Sequence, residues 1–361
     1  MPKNRFYDSR LSYLSFVQNT DEKKIISKQI YPYISKLPKK NITRFLDAGI
    51  GDGTITANII KKFHDVYPNS LLLITGKEIS FEDVFNSLIK MPERFVEHPK
   101  LAVTLTNMKF SELGDLKPNI KNTPVINKNI ILKGRNAFEF EKQLEKLDSF
   151  INKNWGFDID ESGRTAYVRP CLINIYREDC KELIEKYIPK VGQKNEYDFI
   201  LASQAYRSRS STKGKIANVI KPLSSSLKRD GVMVITHSAG NDSIDAIFKK
   251  ASISKDFFPD DAKAIISNLE NLDGLAMEKF QFSKPKKYSY GFRKIPSEVV
   301  SQMSSSSLDS KIANIFYIAQ LSSDEIEKIH LNELKIKKLK KIILNQDKIF
   351  FNNEIFSIKK L

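Results

Sequence analysis

Residues 44–56 read Arg-Phe-Leu-Asp-Ala-Gly-Ile-Gly-Asp-Gly-Thr-Ile-Thr, and no other stretch constrains the chain as much. Phe45, Leu46, Asp47 and Ala48 suit the end of a buried strand. Gly49, Gly51 and Gly53 follow at alternate positions, and Ile55, Ile59, Ile60 and Phe63 then recur at helical spacing. Strand, glycine turn and helix in this order make a ligand cradle. Glycine lets the backbone approach a ligand where a Cβ would collide, and the new helix presents its first N–H groups to it. Two common cradles do not fit. A G-x-G-x-x-G dinucleotide fingerprint needs glycine where Thr54 stands, and a P-loop needs Gly-Lys-Ser/Thr closing the turn.

A second signal lies one strand further on. Leu71, Leu72, Leu73, Ile74 and Thr75 form an apolar run, and Glu78 follows its end. In nucleoside-binding α/β folds an acid at this place accepts hydrogen bonds from ribose hydroxyls. Asp47, Gly49, Gly51, Gly53 and Glu78 therefore form a candidate cofactor site.

Strands are predicted at 44–48, 70–75, 101–106, 197–203 and 231–237, separated by helical or loop segments. That alternation predicts a parallel α/β sheet. Residues 1–41 read as a helical N-terminal cap, with Asn19 or Thr20 as N-cap of its second helix. Residues 42–111 make the first half of a Rossmann-like core and 196–361 the second half, which ends in a helix and a hairpin. The segment 112–195 is an insertion, read as a lid or substrate subdomain; it offers a homodimer interface equally well. Within it, Phe140, Leu144, Leu147 and Ile151 predict one amphipathic helix over 138–152. Leu227 to Gly231 reads as a helix ending at glycine before the fifth strand. Residues 303–307, Met-Ser-Ser-Ser-Ser, suit a joint. A helix is predicted over 323–345, and two short terminal strands are expected to turn at Asn352 and Asn353.

Composition narrows the class. The chain has 361 residues, enough for one large domain with additions or for two. Its 41% hydrophobic and 28% charged content suits a globular protein. No apolar run approaches the ~20 residues needed to span a bilayer, and residues 1–8 lack the apolar core of a secretory leader, so a cytoplasmic location is expected. Cys171 and Cys180 suit a reducing compartment, and His64, His98, His237 and His330 are too scattered for a structural zinc site. The net charge of +16 invites an anionic partner. Its lysines are spread along the chain, densest at Lys335, Lys337, Lys338, Lys340 and Lys341, which fits a solvated basic face better than a nucleic-acid patch.

The D-x-G-x-G-x-G spacing at 47–53 resembles motif I of class I S-adenosylmethionine-dependent methyltransferases, with Glu78 as its ribose acid. Three further stretches resemble the histamine N-methyltransferase-like branch. They are Asn19-Thr20-Asp21-Glu22, the run from Tyr197-Asp198-Phe199-Ile200 through Gln204 to Met233-Val-Ile-Thr-His-Ser-Ala-Gly240, and Ile349-Phe-Phe-Asn-Asn. The resemblance implies S-adenosylmethionine as cofactor and a small-molecule acceptor methylated at an amine nitrogen. It places Asp21 as the acid for the substrate amine, Gln204 against the substrate ring and Asn353 against the amine. Asp21 is one methylene shorter than the family's glutamate, which implies a different substrate. The third strand ends Leu105-Thr106-Asn107, without the acid often used for adenine, so Asp83 or Ser111 is expected there, and Ser203 is a further cofactor-binding candidate. Tyr7, Tyr13, Phe16 and Tyr206 are aromatic candidates for cationic groups, and His237 is a candidate base. Two alternatives stand beside this reading: an RNA methyltransferase using the basic surface, and a non-catalytic binder of the cofactor. Ser203-Gln204-Ala205-Tyr206 stands where enzymes methylating base nitrogens usually carry Asn/Asp-Pro-Pro-aromatic.

Overall fold

The apolar runs of the sequence become the strands of one twisted sheet. The computed structural model describes residues 10–119, 123–159, 165–253, 257–271, 279–293, 306–346 and 348–361. Two helices lead in, α1 (Arg10–Asn19) and α2 (Glu22–Ser35), followed by β1 (Ile42–Asp47), α3 (Thr54–Val66), β2 (Leu71–Lys77), α4 (Phe81–Leu88), α5 (Pro92–Glu97) and β3 (Leu101–Thr106). Next come β4 (Ile126–Leu132), α6 (Ala137–Glu145), α7 (Asp148–Asn154), β5 (Phe157–Ile159), β6 (Thr165–Tyr167) and β7 (Cys171–Arg177). The last strands are β8 (Tyr197–Ser203), β9 (Leu227–Ala239), β10 (Phe280–Phe282), β11 (Lys286–Gly291) and β12 (Phe350–Lys360).

The strand order is β10-β12-β9-β8-β1-β2-β3-β7-β4, with β11 also beside β12. β1, β2, β3, β8 and β9 run parallel, so the Rossmann-like α/β architecture expected from the sequence is the one observed. From β1 the chain winds outward through β2 and β3, then returns to β8 on the other side of β1. That reversal is the topological switch point, and the crevice beyond its strand ends is where open α/β sheets bind ligands.

Two apolar layers cover the sheet. Ile59, Ile60 and Phe63 of α3 pack on one face with Ile26 and Ile30 of α2 and Phe140 of α6. Ile216, Val219, Leu223, Ile265 and Leu269 cover the other. A third cluster joins Phe16 of α1 to Phe351 of β12 and to the helices Ser243–Lys250, Ser306–Ile318 and Glu333–Leu344.

Several expectations change in detail. The segment 112–195 adds β7, antiparallel to β3, and β4, parallel to β7, to the sheet edge. The helix expected over 138–152 is two, broken between α6 and α7, yet Phe140, Leu144, Leu147 and Ile151 are all buried as their spacing required. The helix expected over 323–345 also divides, into Ser323–His330 and Glu333–Leu344, where Asn332 caps the second by accepting the Lys335 N–H. Leu227–Gly231 is not a helix end but the bulged start of β9. Asp230 takes a positive φ of 64°, and a Cβ on Gly231 would lie 2.8 Å from two backbone oxygens. Asn352 and Asn353 are not in a turn, because ladder pairing with Ala239 and Ser238 of β9 on one side and with Ser289 and Tyr288 of β11 on the other holds them inside the single strand β12. Asp21, not Asn19 or Thr20, stands at the N-cap of α2. Residues 303–305 of the expected joint lie outside the described residues, and Ser306 already begins a helix. No helix among the described residues is long and apolar enough to cross a membrane.

Candidate functional site

The glycine turn leaves β1 at the switch point. Asp47 is buried at its start and accepts hydrogen bonds from the Gly49 N–H at 3.2 Å and from the Thr56 hydroxyl. Burial pushes its carboxyl up to about 6 despite those two bonds. Gly51 and Gly53 have φ of 53° and 76°, where a side chain is strained. A Cβ on Gly51 would sit 2.7 Å from Tyr13 Oη, and one on Gly53 would sit 2.8 Å from Ser87 Cα in α4. Gly53 is therefore a packing glycine and Gly51 the one that opens the turn.

Glu78 faces this turn from the end of β2. Its carboxylate accepts the N–H groups of Gly51 at 3.0 Å, Ile79 at 2.8 Å and Ser80 at 2.9 Å. Its carbonyl is held by Trp155 Nε1 at 3.1 Å, so the 112–195 segment braces the acid. Beyond Glu78 lies a cavity of about 290 Å³, lined by Lys77, Ile79, Asn107, Ser111, Tyr167 and Asn218 among others. Ser111, one of the two candidates for the adenine side, is in that lining. Asp83 is not: it is buried on α4, outside that lining. Asn107 is spent on structure, bridging the Arg169 carbonyl at 2.8 Å and the Cys171 N–H at 2.8 Å. Ser203, at the end of β8, puts its carbonyl 3.9 Å from the place of a Gly49 Cβ.

A second cavity, of about 270 Å³, opens beside the turn. Tyr13, Phe16, Gln204 and Tyr206 line it, as do Glu22, Ser238, Tyr290 and Tyr317, which sequence reasoning did not single out. The rings pack on one another: Phe16 lies 5.1 Å from Tyr317 and 6.3 Å from Tyr290 between centroids. The acid of this pocket is Glu22. Asp21 is turned away, accepting the Gly291 N–H at 2.8 Å and so tying α2 to β11. Glu22 is 6% exposed, and burial raises its carboxyl above the usual range against the pull of Lys23, Asn353 and Gln204.

Gln204 organises the pocket floor. It takes a φ of 50°, uncommon for a residue with a side chain. Its Nε2 donates to Glu22 Oε1 at 3.1 Å and to Asn353 Oδ1 at 3.4 Å, while its Oε1 accepts the Ser238 N–H at 3.2 Å. Asn353 is fully buried on β12 and donates to Tyr288 Oη at 3.2 Å. The three polar residues expected from chain-distant regions are therefore brought together, with Glu22 in place of Asp21. His237 is not in the lining. It lies behind Tyr206, its Nδ1 2.6 Å from the Tyr206 Oη and its Nε2 3.6 Å from Glu354. Tyr7 lies outside the described residues.

Glu22 did carry a signal. Glu22, Ile26, Ile30 and Ile34 share one helical stripe and are all buried, whereas Asp21 precedes the helix. Tyr290 and Tyr317 carried none, since only the sheet order brings β11 and the helix Ser306–Ile318 to the N-terminal cap.

No protein-family model and no curated protein sequence matches the chain. Among solved structures, it is similar to precorrin-6y C5,15-methyltransferase from Geobacter metallireducens GS-15 at 8% identity, over 92% of this chain and 89% of that one, with a TM-score of 0.28. It is similar to the plantazolicin methyltransferase BpumL in complex with SAH at 12% identity, over 99% and 88%, with a TM-score of 0.33. It is also similar to phosphoethanolamine N-methyltransferase 2 of Haemonchus contortus in complex with S-adenosyl-L-methionine at 10% identity, over 92% and 52%, with a TM-score of 0.31. At identities and scores this low, the functional reading rests on the residues of this chain.

Proposed function

We propose that the chain is an S-adenosylmethionine-dependent methyltransferase whose acceptor is the nitrogen of a small amine. The observation that carries the acceptor class is the buried Glu22 carboxylate, set among Tyr13, Phe16, Tyr290 and Tyr317 beside the glycine turn. A desolvated carboxylate inside a ring of aromatic faces suits a cation on both counts, charge and quadrupole.

The cradle suits the cofactor. Gly51 leaves the turn open, and Glu78 Oε2, which accepts only the Gly51 N–H, retains acceptor capacity for a ribose hydroxyl. The cavity past Ile79, with Ser111 at its edge, is where adenine would lie. Bound S-adenosylmethionine would supply an electrophilic methyl group on a sulfonium.

The chain's own residues then have distinct work. Glu22 holds the acceptor ammonium and takes its proton, leaving the neutral amine that a nucleophile must be; burial makes its carboxylate a stronger base. Gln204 holds that carboxylate, and Asn353 and Ser238 hold Gln204. The aromatic walls exclude water and hold the acceptor in line, where orientation supplies much of the rate. Asp21 serves the site indirectly by docking α2 on β11.

Calorimetric titration with S-adenosylmethionine and S-adenosylhomocysteine, followed by methylation of an amine panel, tests the reading. Micromolar binding and turnover on a ring-bearing amine are expected. Binding without turnover on any amine would favour a non-catalytic binder, and no binding by folded protein would overturn the assignment.

A further inference from the structure

The three most exposed large apolar side chains among the described residues belong to one helical hairpin: Leu334 at 79%, Leu331 at 78% and Leu344 at 67%. The hairpin is Ser323–His330 followed by Glu333–Leu344, with Leu331 at the turn between them. Its second helix already has an inward stripe. Leu339 and Ile343 are buried in the third apolar cluster, and Ile336 packs against it. The core therefore makes no use of the outward leucines. Single exposed leucines scattered over a surface need no account, but these are ordered. Positions 334, 337, 338, 341 and 344 fall within an arc of about 120° at ~3.6 residues per turn, and all five are exposed. The face so formed sets Lys337, Lys338 and Lys341 between Leu334 and Leu344, about 15 Å apart along the axis.

The face stays positive once its acids are counted. The exposed acids of the hairpin are Glu327 and Glu333, against Lys328, Lys337, Lys338 and Lys341. Glu333 lies 3.6 Å from Lys337, a pair open to water and correspondingly weak. Lys340, outside the arc, is taken up by Asp309 at 2.9 Å. Lys338 donates to Ser252 Oγ at 3.2 Å, which brings the end of the helix Ser243–Lys250, with its exposed Lys249 and Lys250, beside the face. Six exposed lysines thus stand against two carboxylates.

Charge alone would suit any polyanion, and the leucines decide between them. A phosphate backbone offers an exposed leucine nothing to pack on. At a bilayer surface the leucine enters the acyl boundary, while neighbouring lysines lay their stems along it and keep their ammonium groups among the headgroups. We infer that this face is a docking surface for an anionic lipid bilayer, on which the helix Glu333–Leu344 lies flat, with Leu334 and Leu344 as shallow anchors and the lysines between them on the headgroups. The inference goes beyond the proposed function and does not rest on the cofactor or the acceptor.

Co-sedimentation of the full chain with vesicles tests it. Phosphatidylcholine vesicles are compared with vesicles that also carry about one-third phosphatidylserine, in about 0.1 M salt. The wild type should bind the anionic vesicles at least ~10-fold more tightly than the neutral ones. A lysine near an anionic surface contributes about 5-fold, so replacing Lys337, Lys338 and Lys341 together by glutamine should weaken binding by more than ~10-fold. Replacing Lys142, Lys146 and Lys153 by glutamine removes the same charge from α6 and α7 and should change binding by less than ~3-fold. Leu334→Gln with Leu344→Gln keeps every charge and should weaken vesicle binding by ~10-fold, while leaving binding to a uridine oligonucleotide unchanged. All the substituted side chains are exposed, so the variants should keep the wild-type melting curve. No binding to anionic vesicles overturns the inference, as does an equal loss in the two lysine variants, which would mark a response to total charge. Vesicle binding that ignores the leucine pair also overturns it, and oligonucleotide binding lost with Lys337, Lys338 and Lys341 would then assign the face to nucleic acid.

Discussion

Glu22→Gln separates the charge of the acceptor site from its shape. The side chain is buried, and its Oε1 accepts from Gln204 at 3.1 Å, a bond the amide oxygen of glutamine retains. What disappears is the negative charge facing the acceptor. Removing one partner of a desolvated ion pair costs about 2–5 kcal/mol, so kcat/KM for the amine should fall by ~30-fold to ~5000-fold. Stability should move the other way or not at all. Burial raises the Glu22 carboxyl above its ordinary value of 4.5, so the folded chain binds that proton more tightly than the unfolded chain does. Its stabilising effect is complete below the unfolded pKa and is lost as pH rises through the folded one. Above the folded pKa the ionised group is a cost, which a neutral isostere relieves. The assay combines amine kinetics, titration with S-adenosylhomocysteine and a melting curve at pH 7. The expected pattern is a large loss of kcat/KM, unchanged cofactor affinity and an equal or higher Tm. Unchanged kcat/KM would remove Glu22 from the acceptor site. A lower Tm together with lost cofactor binding would make it a structural residue.

The two positive-φ glycines of the turn should respond differently. Gly51→Ala meets the mobile end of Tyr13 and should fold, losing about 1–2 kcal/mol of stability and weakening cofactor binding. Gly53→Ala meets the α4 backbone at Ser87 and should cost about 2–4 kcal/mol; comparing their urea midpoints checks the contrast, and equal midpoints would refute it. Glu78→Gln leaves one of three backbone N–H groups short of an acceptor and removes the ribose-facing charge, so calorimetry should show cofactor affinity lower by ~10-fold or more; wild-type affinity would exclude Glu78. His98, fully buried with its ring 2.9 Å from the Ser70 carbonyl, is pulled by burial down to about 4. The unfolded chain therefore binds its proton first, and stability should fall by at most about 3 kcal/mol as pH drops from 6.5 towards 4. Asp47, raised to about 6, acts in the opposite direction but is common to both proteins. His98→Gln should flatten the stability profile across that window, and an unaltered slope would sink the assignment.

The strand, glycine turn, helix and following acid of the proposed cofactor cradle were legible in the sequence because their signals are local. A glycine turn between strand and helix, and an acid one strand later, are fixed by backbone geometry within a few residues. The aromatic pocket proposed for the acceptor was legible only in part. Gln204 and Asn353 were found through a resemblance, and the structure brings their side chains within 3.4 Å, but Asn353 does so from inside a strand rather than a turn. Asp21 and Glu22 are adjacent and both acidic, so composition does not separate them. Helical phase does: the residue four before Ile26 faces the core, and its neighbour faces Gly291. His237 read as a base at a strand end because strand ends usually face ligands, yet its Nδ1 meets the Tyr206 hydroxyl and its ring is absent from the cavity lining.

The reason Asn353 reaches the site at all lies in the direction of β12. The ligand end of an open parallel sheet is the carboxyl end of its strands. β12 runs antiparallel to β9, pairing Asn353 with Ser238 and Lys359 with Val232, so its first residues arrive at that end. A parallel strand in the same slot would deliver its last residues there and bury Asn353 at the opposite edge. The same reversal fixes the chain before it. The helices Ser306–Ile318 and Glu333–Leu344 must stay close enough to lead into Phe350, which places Tyr317 against Tyr13 and Phe16. The aromatic pocket beside the glycine turn therefore follows from one strand direction. The N-terminal cap supplies the carboxylate, the end of β8 supplies the glutamine that holds it, and the inverted C-terminal strand supplies the asparagine. The helices feeding that strand supply one aromatic wall. Under the proposed function, acceptor specificity would fall to the two ends of the chain, and cofactor binding to the β1–β2 core between them.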